Sequence, residues 1–500
     1  MIDNSIIATV LVHLFTAIIQ LFFWKKPGPQ RILSIIGAAI GFLFALSLFI
    51  KVYNGEILKM NAANWDAPFG IVFVADLFSS TLVLLTSIAA LAVSLFSSVG
   101  VGKPRMRYGY FPIFHFLIMG LNGAFLTGDI FNLYVWFEVI IISSFVLLTL
   151  GGRKEQLEGA VKYMALNILA STLFLTGIGI LYGITGTLNM ADLSIKIPLV
   201  QDQSIVNLTA MFFLLGFGIK SAVFPLYFWL PSSYHTPPSA VAAIFGGLLT
   251  KVGLYALFRV FTLIFIPNEF MRSVLMIMAI LTILTGAFGA IVKHDIRRLF
   301  SYLIVCHIGF IVGGLGLYTK IAFMGAIFYL IHDIMVKTNL FLISGVIRKM
   351  RDTLDTPKLG GLYSEYPKIS LLMALVLFSL VGIPPLSGFW PKIYLFEAAF
   401  KANNYFFIGS LILASFITLY VIAKIWAEVF WKETSAEEPP TDNFKELTLV
   451  RKTLFLLPVG MLAMVTLFIG LNAEFVIQVV DRIANEMLNT APYVQAVLGK

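Results

Sequence analysis

Four lysines and one glutamate lie deep inside long apolar stretches of this 500-residue sequence, and their types suggest proton transfer. They are Glu138, Lys220, Lys251, Lys337 and Lys392. A charged side chain in a dry, apolar setting is costly unless it is paired, so ionisable residues in such places indicate a functional site by default. Removal from water disfavours a charged lysine, and a nearby carboxylate favours it again. A lysine under both influences can take up and release a proton near neutral pH, whereas arginine stays charged.

Two neighbours of Lys337 extend this set of candidates. Asp333 lies four residues before Lys337, so the two share a helix face and can form a local ion pair. His332 is a candidate proton relay, because the ordinary pKa of histidine is close to neutral pH. A lone histidine is more often a packing residue, and that alternative stays open for His332 and for His307.

A structural role is the alternative for each of the buried charges. Glu138 and Lys220 could form a static ion pair that holds helices together, and Lys251 could be a counter-ion for Glu138. Lys392 closely follows a pair of prolines, and there a proton gate is favoured over a structural cation.

The composition shows which elements must hold these residues. Apolar residues make up 59% of the chain and charged residues 12%, with a mean hydropathy of +0.92, whereas soluble domains carry about 25% charged residues. A water-soluble globule with so little charge could not cover its surface, and 46 phenylalanines exclude a disordered chain. The single cysteine, Cys306, excludes an intrachain disulfide and a cysteine-rich metal site. The sequence therefore predicts a polytopic membrane protein.

Fourteen apolar stretches are long enough to span a bilayer, and their uniformly apolar character predicts helices rather than barrel strands. With the N-terminus outside, 21 of the 35 lysines and arginines fall in inner loops and 8 in outer loops. This alternation follows the positive-inside rule and predicts an all-α polytopic fold of about fourteen transmembrane helices. It also explains the net charge of +9 without a nucleic-acid partner. The predicted spans are 5–23, 32–52, 71–97, 109–127, 129–150, 160–184, 205–230, 238–266, 270–292, 299–318, 321–347, 368–400, 404–432 and 451–475.

Two further basic residues within the spans are interpreted as structural. Arg259 and Lys424 lie near span ends, so their long side chains are predicted to extend to the membrane surface. Lys424 can also pair with Glu428 one turn further on.

The seventh and twelfth spans are interrupted by prolines and glycines. The first interruption lies between Gly216 and Pro231, and the second between Gly382 and Lys392. Proline removes a helical hydrogen bond, and a broken helix survives in a membrane only where protein or a wet cavity satisfies the freed groups. The two breaks resemble each other and lie an odd number of spans apart, which predicts inverted repeats. Discontinuous helices at matching positions of two repeats point to a transport path.

Other chemistry leaves no signal in the sequence. It contains no phosphate-binding glycine loop, no His-Glu-x-x-His motif and no nucleophile elbow. Neither a cofactor nor a metal site is therefore predicted. Residues 476–488 place apolar side chains on one helical face, which predicts an interfacial helix or a docking surface for a partner subunit.

Taken together, these motifs make the chain similar to the antiporter-like subunit family. That family comprises the proton-pumping membrane subunits of respiratory complex I and the large subunits of Mrp-type cation/proton antiporters. Nearly the whole chain resembles this family. Within the family, the length of the chain, the lysine at its second break and its overall sequence are most similar to those of the D-type Mrp subunits. The resemblance is carried by Glu138, by Lys220 with Pro225, by Lys251, by the segment from Asp295 through Ser301 and Tyr302 to His307 and Gly309, and by the segment 382–392.

The resemblance implies two inverted five-helix repeats at spans 4–8 and 9–13, with helices 7 and 12 broken. It implies that Glu138 and Lys220 form the ion pair of a first half-channel, that Lys251 and Lys337 lie on a central polar axis, and that Lys392 ends this axis. Some relatives in complex I carry glutamate where Lys392 stands, so the terminal gate differs in sign among them. The predicted division of the chain is 1–108 for spans 1–3, 109–266 for the first repeat, 267–403 for spans 9–12, and 404–500 for spans 13–14 and the C-terminal helix.

The expected function is therefore that of a proton-translocating subunit of a multisubunit Na⁺/H⁺ antiporter in a bacterial plasma membrane, a transporter subunit and not an enzyme. Its implied partners are subunits of the A, B, C, E, F and G types and membrane lipids. H⁺ is expected to cross this chain, whereas Na⁺ is expected to be an indirect partner only. One alternative is a proton-pumping subunit of complex I or of a membrane-bound hydrogenase. Another is a scaffold whose buried charges only hold helices together.

Overall fold

The computed structural model describes residue 3 and residues 5–55, 57–433 and 442–499. Twelve helices in these ranges are long and apolar enough to cross a membrane, and two shorter apolar helices, Tyr110–Leu126 and Pro367–Val381, occupy the other predicted spans. The all-α polytopic class is thus confirmed, while the count of fourteen crossings stays a prediction. The helices are α1 Ser5–Phe22, α2 Pro27–Tyr53, α3 Leu77–Gly100, α4 Tyr110–Leu126, α5 Ile130–Thr149, α6 Lys154–Thr185, α7 Gln203–Lys220, α8 Ser239–Leu263, α9 Glu269–Ile291, α10 Ile296–Leu317, α11 Lys320–Arg351, α12 Pro367–Val381, α13 Tyr405–Trp431 and α14 Leu449–Leu471.

Several short elements connect these helices. Residues Phe245–Leu249 of α8 and Trp426–Trp431 of α13 form π-helical turns. The short α-helices are Lys103–Arg107, Met190–Lys196, Trp229–Ser233, Leu362–Glu365, Phe389–Lys401, Ala473–Leu488 and Ala491–Leu498, and the 3₁₀ turns are Ala62–Asn64, Ile197–Leu199 and Thr356–Lys358.

The third predicted span is wrong at its start. Residues Val72–Ala75 form a strand, β2, that pairs antiparallel with β1, Leu58–Asn61. The helix α3 begins only at Leu77, where the Asp76 carboxylate accepts a hydrogen bond of 2.8 Å from the Ser79 backbone N–H. Hydropathy does not distinguish a buried strand from a helical turn over so few residues, so the predicted span included the strand.

Three of the candidate residues, Lys251, His332 and Lys337, lie in the best-buried helices. The apolar segments of α8 and α11 are buried throughout, and α10 nearly so, whereas α1, α2 and α6 leave much of their apolar surface exposed. Such exposed apolar faces suit contact with lipid tails or with other membrane subunits. The helices that carry Lys251, Asp333 and Lys337 therefore form the centre of the bundle.

The first break lies where it was predicted. Helix α7 ends at Lys220 and the chain resumes as a helix at Trp229. The Trp229 Nε1–H group donates a hydrogen bond of 3.0 Å to the Ile219 carbonyl, which also accepts one of 3.0 Å from the Ala222 backbone N–H at the helix end. From α9, the Thr282 hydroxyl accepts a bond of 2.9 Å from the Phe224 backbone N–H. Protein groups thus replace the lost helical hydrogen bonds.

The second break is also held by protein groups, among them a lysine. Helix α12 ends at Val381 and the chain is helical again from Phe389. The Lys392 ammonium donates a hydrogen bond of 2.6 Å to the Val381 carbonyl, at the helix C-terminus where positive charge is favoured. The Trp390 Nε1–H group reaches the Gly470 carbonyl at 3.0 Å and so ties this break to α14.

Arg259 was predicted to extend to the membrane surface, but its side chain is buried against other helices. Its guanidinium is buried, forms an ion pair with Asp76 at the start of α3, and lies over the rings of Tyr255 and Tyr493. The sequence could not show that Asp76 lies beside it, because the two residues belong to different helices. Its interpretation as a structural residue rather than a proton carrier fits this contact. Lys424 does pair with Glu428, at 3.9 Å.

The amphipathic segment 476–488 is helical, but its apolar face is not free. Val476, Val480 and Ile483 are buried against this chain, and the helix Ala473–Leu488 packs on α11 and α14. On its polar side, Asp481 pairs with Lys320 at 2.7 Å. The prediction that this apolar face docks a partner subunit is therefore wrong, because in the described part of the chain α11 and α14 already cover the face.

Candidate functional site

A single carboxylate, that of Asp333, lies at the centre of the buried charges. Its Oδ2 is 2.7 Å from the Lys251 Nζ, and its Oδ1 is 3.4 Å from the His307 Nδ1 and 4.0 Å from the Lys337 Nζ. All four side chains are fully buried. Three helices, α8, α10 and α11, thus supply one acid, two lysines and a histidine to one dry cluster, which we call the central cluster.

The charge of the central cluster depends on its protons. With both lysines charged, Lys251 and Lys337 together exceed the single negative charge of Asp333. Like charges held close together in a medium of low dielectric constant repel each other. The Lys337 Nζ makes no hydrogen bond within the described residues, which leaves it as the less restrained of the two.

Lys251 has a second anchor in its own helix. Its Nζ donates a hydrogen bond of 2.9 Å to the Gly246 carbonyl. That carbonyl lies in the π-helical turn Phe245–Leu249, a feature that is rare in helices and frequent at functional sites. No sequence pattern indicated this turn, since it is a local rewinding of an otherwise apolar helix.

A polar route leads from the central cluster toward the second break. The ring of Tyr329 lies between two histidines, with centroid distances of 5.3 Å to His307 and 5.5 Å to His332. Beyond it, the His332 Nδ1 is hydrogen-bonded to the Ser387 hydroxyl at 2.7 Å, and Ser387 to Ser379 at 2.9 Å. The Nε2 atoms of both histidines and the Tyr329 hydroxyl lack a hydrogen-bond partner in the described part of the chain. Buried polar atoms of this kind are commonly joined by ordered water.

Lys392 lies at the far end of this route. It follows the second break, is 8% exposed, and lies over the Phe310 ring with 6.0 Å between Nζ and the ring centroid. Because its ammonium is bonded to the Val381 carbonyl, a change of charge on Lys392 would directly alter how the end of α12 is held.

The first break holds the other two candidates, and they are not in direct contact. The Lys220 Nζ lies 4.6 Å from the centroid of the Phe137 ring and 3.4 Å from the Ser171 hydroxyl. Glu138 is the next residue after Phe137, yet its Oε1 has no hydrogen-bond partner within the described ranges and no ion pair of 4.0 Å or less joins it to Lys220. In this conformation, the expected ion pair between Glu138 and Lys220 is therefore open.

Two buried hydroxyl groups next to Lys220 and Lys251 lack hydrogen-bond partners in the described residues. The side chains of Ser221 and Thr250, each next to one of the lysines, have no hydrogen-bond partner among the residues that the structure covers. Helix α8 approaches the break closely at Gly253, where a Cβ would lie 2.6 Å from the Ser221 Oγ. The segments that carry Lys220 and Lys251 are thus in close contact, with the Ser221 hydroxyl at that contact.

Sequence reasoning identified the buried charged residues but missed some of the polar residues that link them. Lys251, Lys337 and His332 lie along one polar route to Lys392, whereas Glu138 and Lys220 lie together at the other break. Asp333 was predicted only as a local partner of Lys337, and Ser387 was not singled out. The spacing of Asp333 before Lys337 was the available signal for a functional acid. Across the described residues, no group of three or more His, Cys, Asp or Glu side chains is placed to hold a metal ion.

Comparison with known proteins identifies the class. Residues 127–418 match the family described as NADH:quinone oxidoreductase/Mrp antiporter, transmembrane. The chain is 41% identical over 497 residues to the D-type Na⁺/H⁺ antiporter subunit of Alkalihalophilus pseudofirmus, with 99% of each chain covered. The protein therefore belongs to the antiporter-like membrane subunit family, as the sequence motifs predicted, and within that family it groups with the D-type subunits of Mrp antiporters.

Solved structures agree with this family. A chain in the structure of the Mrp complex from Dietzia sp. matches with a TM-score of 0.90 at 27% identity, covering 99% of both chains. A chain of respiratory complex I from Thermus thermophilus matches with a TM-score of 0.81 over 97% of this chain, but at 23% identity it shows the shared fold alone. The chain is a multi-pass membrane protein and a transporter subunit rather than an enzyme.

Proposed function

We propose that this chain is the D-type subunit of a multisubunit Na⁺/H⁺ antiporter of a bacterial plasma membrane and that it conducts the protons. The observation that carries the antiporter assignment is the 41% identity to a D-type Na⁺/H⁺ antiporter subunit over 99% of both chains. The buried lysines, arranged between two broken helices, support proton movement through this chain. Subunits of the A, B, C, E, F and G types are the proposed partners.

The proposed proton path follows the buried polar groups. A proton is held at the central cluster, where Lys251 and Lys337 share the Asp333 carboxylate. It passes by way of His307, Tyr329 and His332, whose unpaired atoms suit bridging water. Lys392 then takes up or releases it at the second break.

The first break would act as the switch of this path. When Glu138 is close to Lys220, the charged form of the lysine is stabilised, and when the two separate, that support is withdrawn. The open arrangement, with Lys220 over Phe137, corresponds to the second state. The resulting change of charge would be felt by Lys251 across the close contact of α8 with the break, because electrostatic interactions are strong in a medium of low dielectric constant.

The test is transport by the whole purified complex in vesicles. An imposed pH gradient should collapse when Na⁺ is added, and the complex should contain no flavin or iron–sulfur subunits. Proton pumping that depends on quinone reduction, with no response to Na⁺, would instead support the complex I or hydrogenase alternative. That alternative has only the shared fold behind it here.

The link between His332 and the second break gives a specific prediction. Ser387→Ala should slow antiport about fivefold, since one buried hydrogen bond contributes about 1 kcal/mol and the His332 ring would lose its partner. The matched control is Ser410→Ala, a buried serine of α13 whose hydroxyl bonds, among the described residues, only to the Phe407 carbonyl. Antiport rates of both variants, compared at equal assembly, decide the matter; equal rates would exclude Ser387 from the path.

A further inference from the structure

An open pocket at the basic end of the bundle lies outside the proton path. Its volume is about 320 Å³, and it lies between α3, α8 and α11. Within the part of the chain that is described, Asp352 is the one acidic residue on its wall. None of the basic residues there forms an ion pair with a described carboxylate. Five lining side chains are basic: Arg105, Arg153, Arg297, Arg348 and Lys349.

Arg297 is the strongest sign that this pocket receives an anion. It is only 5% exposed, and its Nη1–H group donates a hydrogen bond of 2.7 Å to the Pro237 carbonyl. Its Nε–H group has no acceptor in any of the described ranges. A buried guanidinium donor without an acceptor is costly, and an anion in the pocket would supply that acceptor.

A helix N-terminus opens on the same pocket. Helix α8 begins at Ser239 after Pro238, which cannot cap it with a side chain, and both residues line the pocket. The first backbone N–H groups of a helix have no intrahelical partner, and the helix dipole adds a partial positive charge there. This combination favours phosphate and similar anions.

The other cations are held close to one another. The Arg105 Nε–H group bonds to the Leu150 carbonyl at 3.0 Å, which fixes the side chain in the pocket wall. Burial lowers the pKa of Arg105, and the nearby Arg153 and Arg348 lower it further. Mutual repulsion of this kind is relieved when an anion binds.

We propose that this pocket binds a phosphate group, carried either by an anionic lipid of the adjoining leaflet or by a phosphate free in the aqueous phase. Arginine forks and a helix N-terminus both match the oxygens of a phosphate. The rings of Phe96 and Phe455 also line the pocket and offer an apolar wall to the glycerol part of a lipid.

The test uses the whole purified complex in neutral detergent. Binding of radiolabelled inorganic phosphate is measured by equilibrium dialysis, and retention of phosphatidylglycerol is measured by native mass spectrometry after passage through nanodiscs. We expect saturable binding of at least one of the two at one site per chain. Phosphate bound without lipid points to a soluble ligand, and retained phosphatidylglycerol points to the lipid.

Paired variants separate this site from general surface charge. Arg348→Gln with Lys349→Gln should weaken binding about tenfold, since two cations facing the ligand are lost. Arg298→Gln with Lys154→Gln removes two charges from exposed positions on the same side that do not line the pocket, and should leave the affinity unchanged. The proposal is overturned if neither phosphate nor phosphatidylglycerol binds, or if both pairs of substitutions weaken binding equally.

Discussion

Asp333→Asn should reduce antiport about a hundredfold at neutral pH and should move the pH range of transport toward acid by about two units. The change keeps the shape of the side chain and removes the only carboxylate within reach of Lys251 and Lys337 in the described residues. Taking one partner from a buried pair costs about 3–5 kcal/mol, because the remaining charge is left uncompensated. At the lower end of that range, a cost of about 3 kcal/mol on the charged lysine corresponds to about two pH units, or roughly a hundredfold higher proton concentration for the same occupancy.

Two controls separate this electrostatic effect from a general loss of folding. Asp333→Glu keeps the charge and should retain a substantial part of the transport. Glu158→Gln removes a carboxylate that pairs with Lys162 in an exposed i,i+4 contact, where an ion pair contributes about 0.5 kcal/mol or less, so it should leave transport unchanged. The measurement is the pH profile of antiport in vesicles that contain equal amounts of assembled complex. An unchanged profile for Asp333→Asn would show that the central cluster does not hold the transported proton.

The sequence predicted what depends on local patterns. The helices followed from uninterrupted apolar runs, and both breaks followed from proline and glycine, which disrupt helices whatever surrounds them. The buried charges were found because a charge in an apolar run is conspicuous. The pair Lys424–Glu428, within a single helix, was also predicted correctly, since helical spacing alone places these side chains together.

Contacts between helices could not be predicted in the same way. Lys251 and Asp333 are on different helices, and no spacing in one sequence shows that they lie 2.7 Å apart. The same holds for Arg259 and Asp76, which led to a wrong prediction for Arg259. A helix in a membrane can turn any of its faces toward a neighbour, and packing decides which one. The buried charges could therefore be identified from the sequence, while the contact of Lys251 with Asp333 and the position of Ser387 could not.

Substitution of Lys220 distinguishes a proton carrier from a structural cation. We expect both Lys220→Met and Lys220→Arg to reduce antiport about a hundredfold or more, the range in which proton-transferring groups contribute. Methionine fills a similar volume without charge. Arginine keeps the positive charge and can still lie over Phe137 and approach Glu138, but it does not release its proton. The arginine variant is thus the decisive one, because a structural ion pair would tolerate it.

The control for this substitution exists elsewhere in the chain. Lys424 faces Glu428 at 3.9 Å in α13 and is assigned no part in proton movement, so Lys424→Arg should leave antiport unchanged. Antiport is measured with equal amounts of assembled complex for each variant. Full activity of Lys220→Arg would mean that Lys220 only holds the broken helix, as in the scaffold alternative. Loss of activity in Lys220→Arg, together with a normal Lys424→Arg, would support the ability to release a proton as the property that Lys220 must have, since the positive charge is retained in both substitutions.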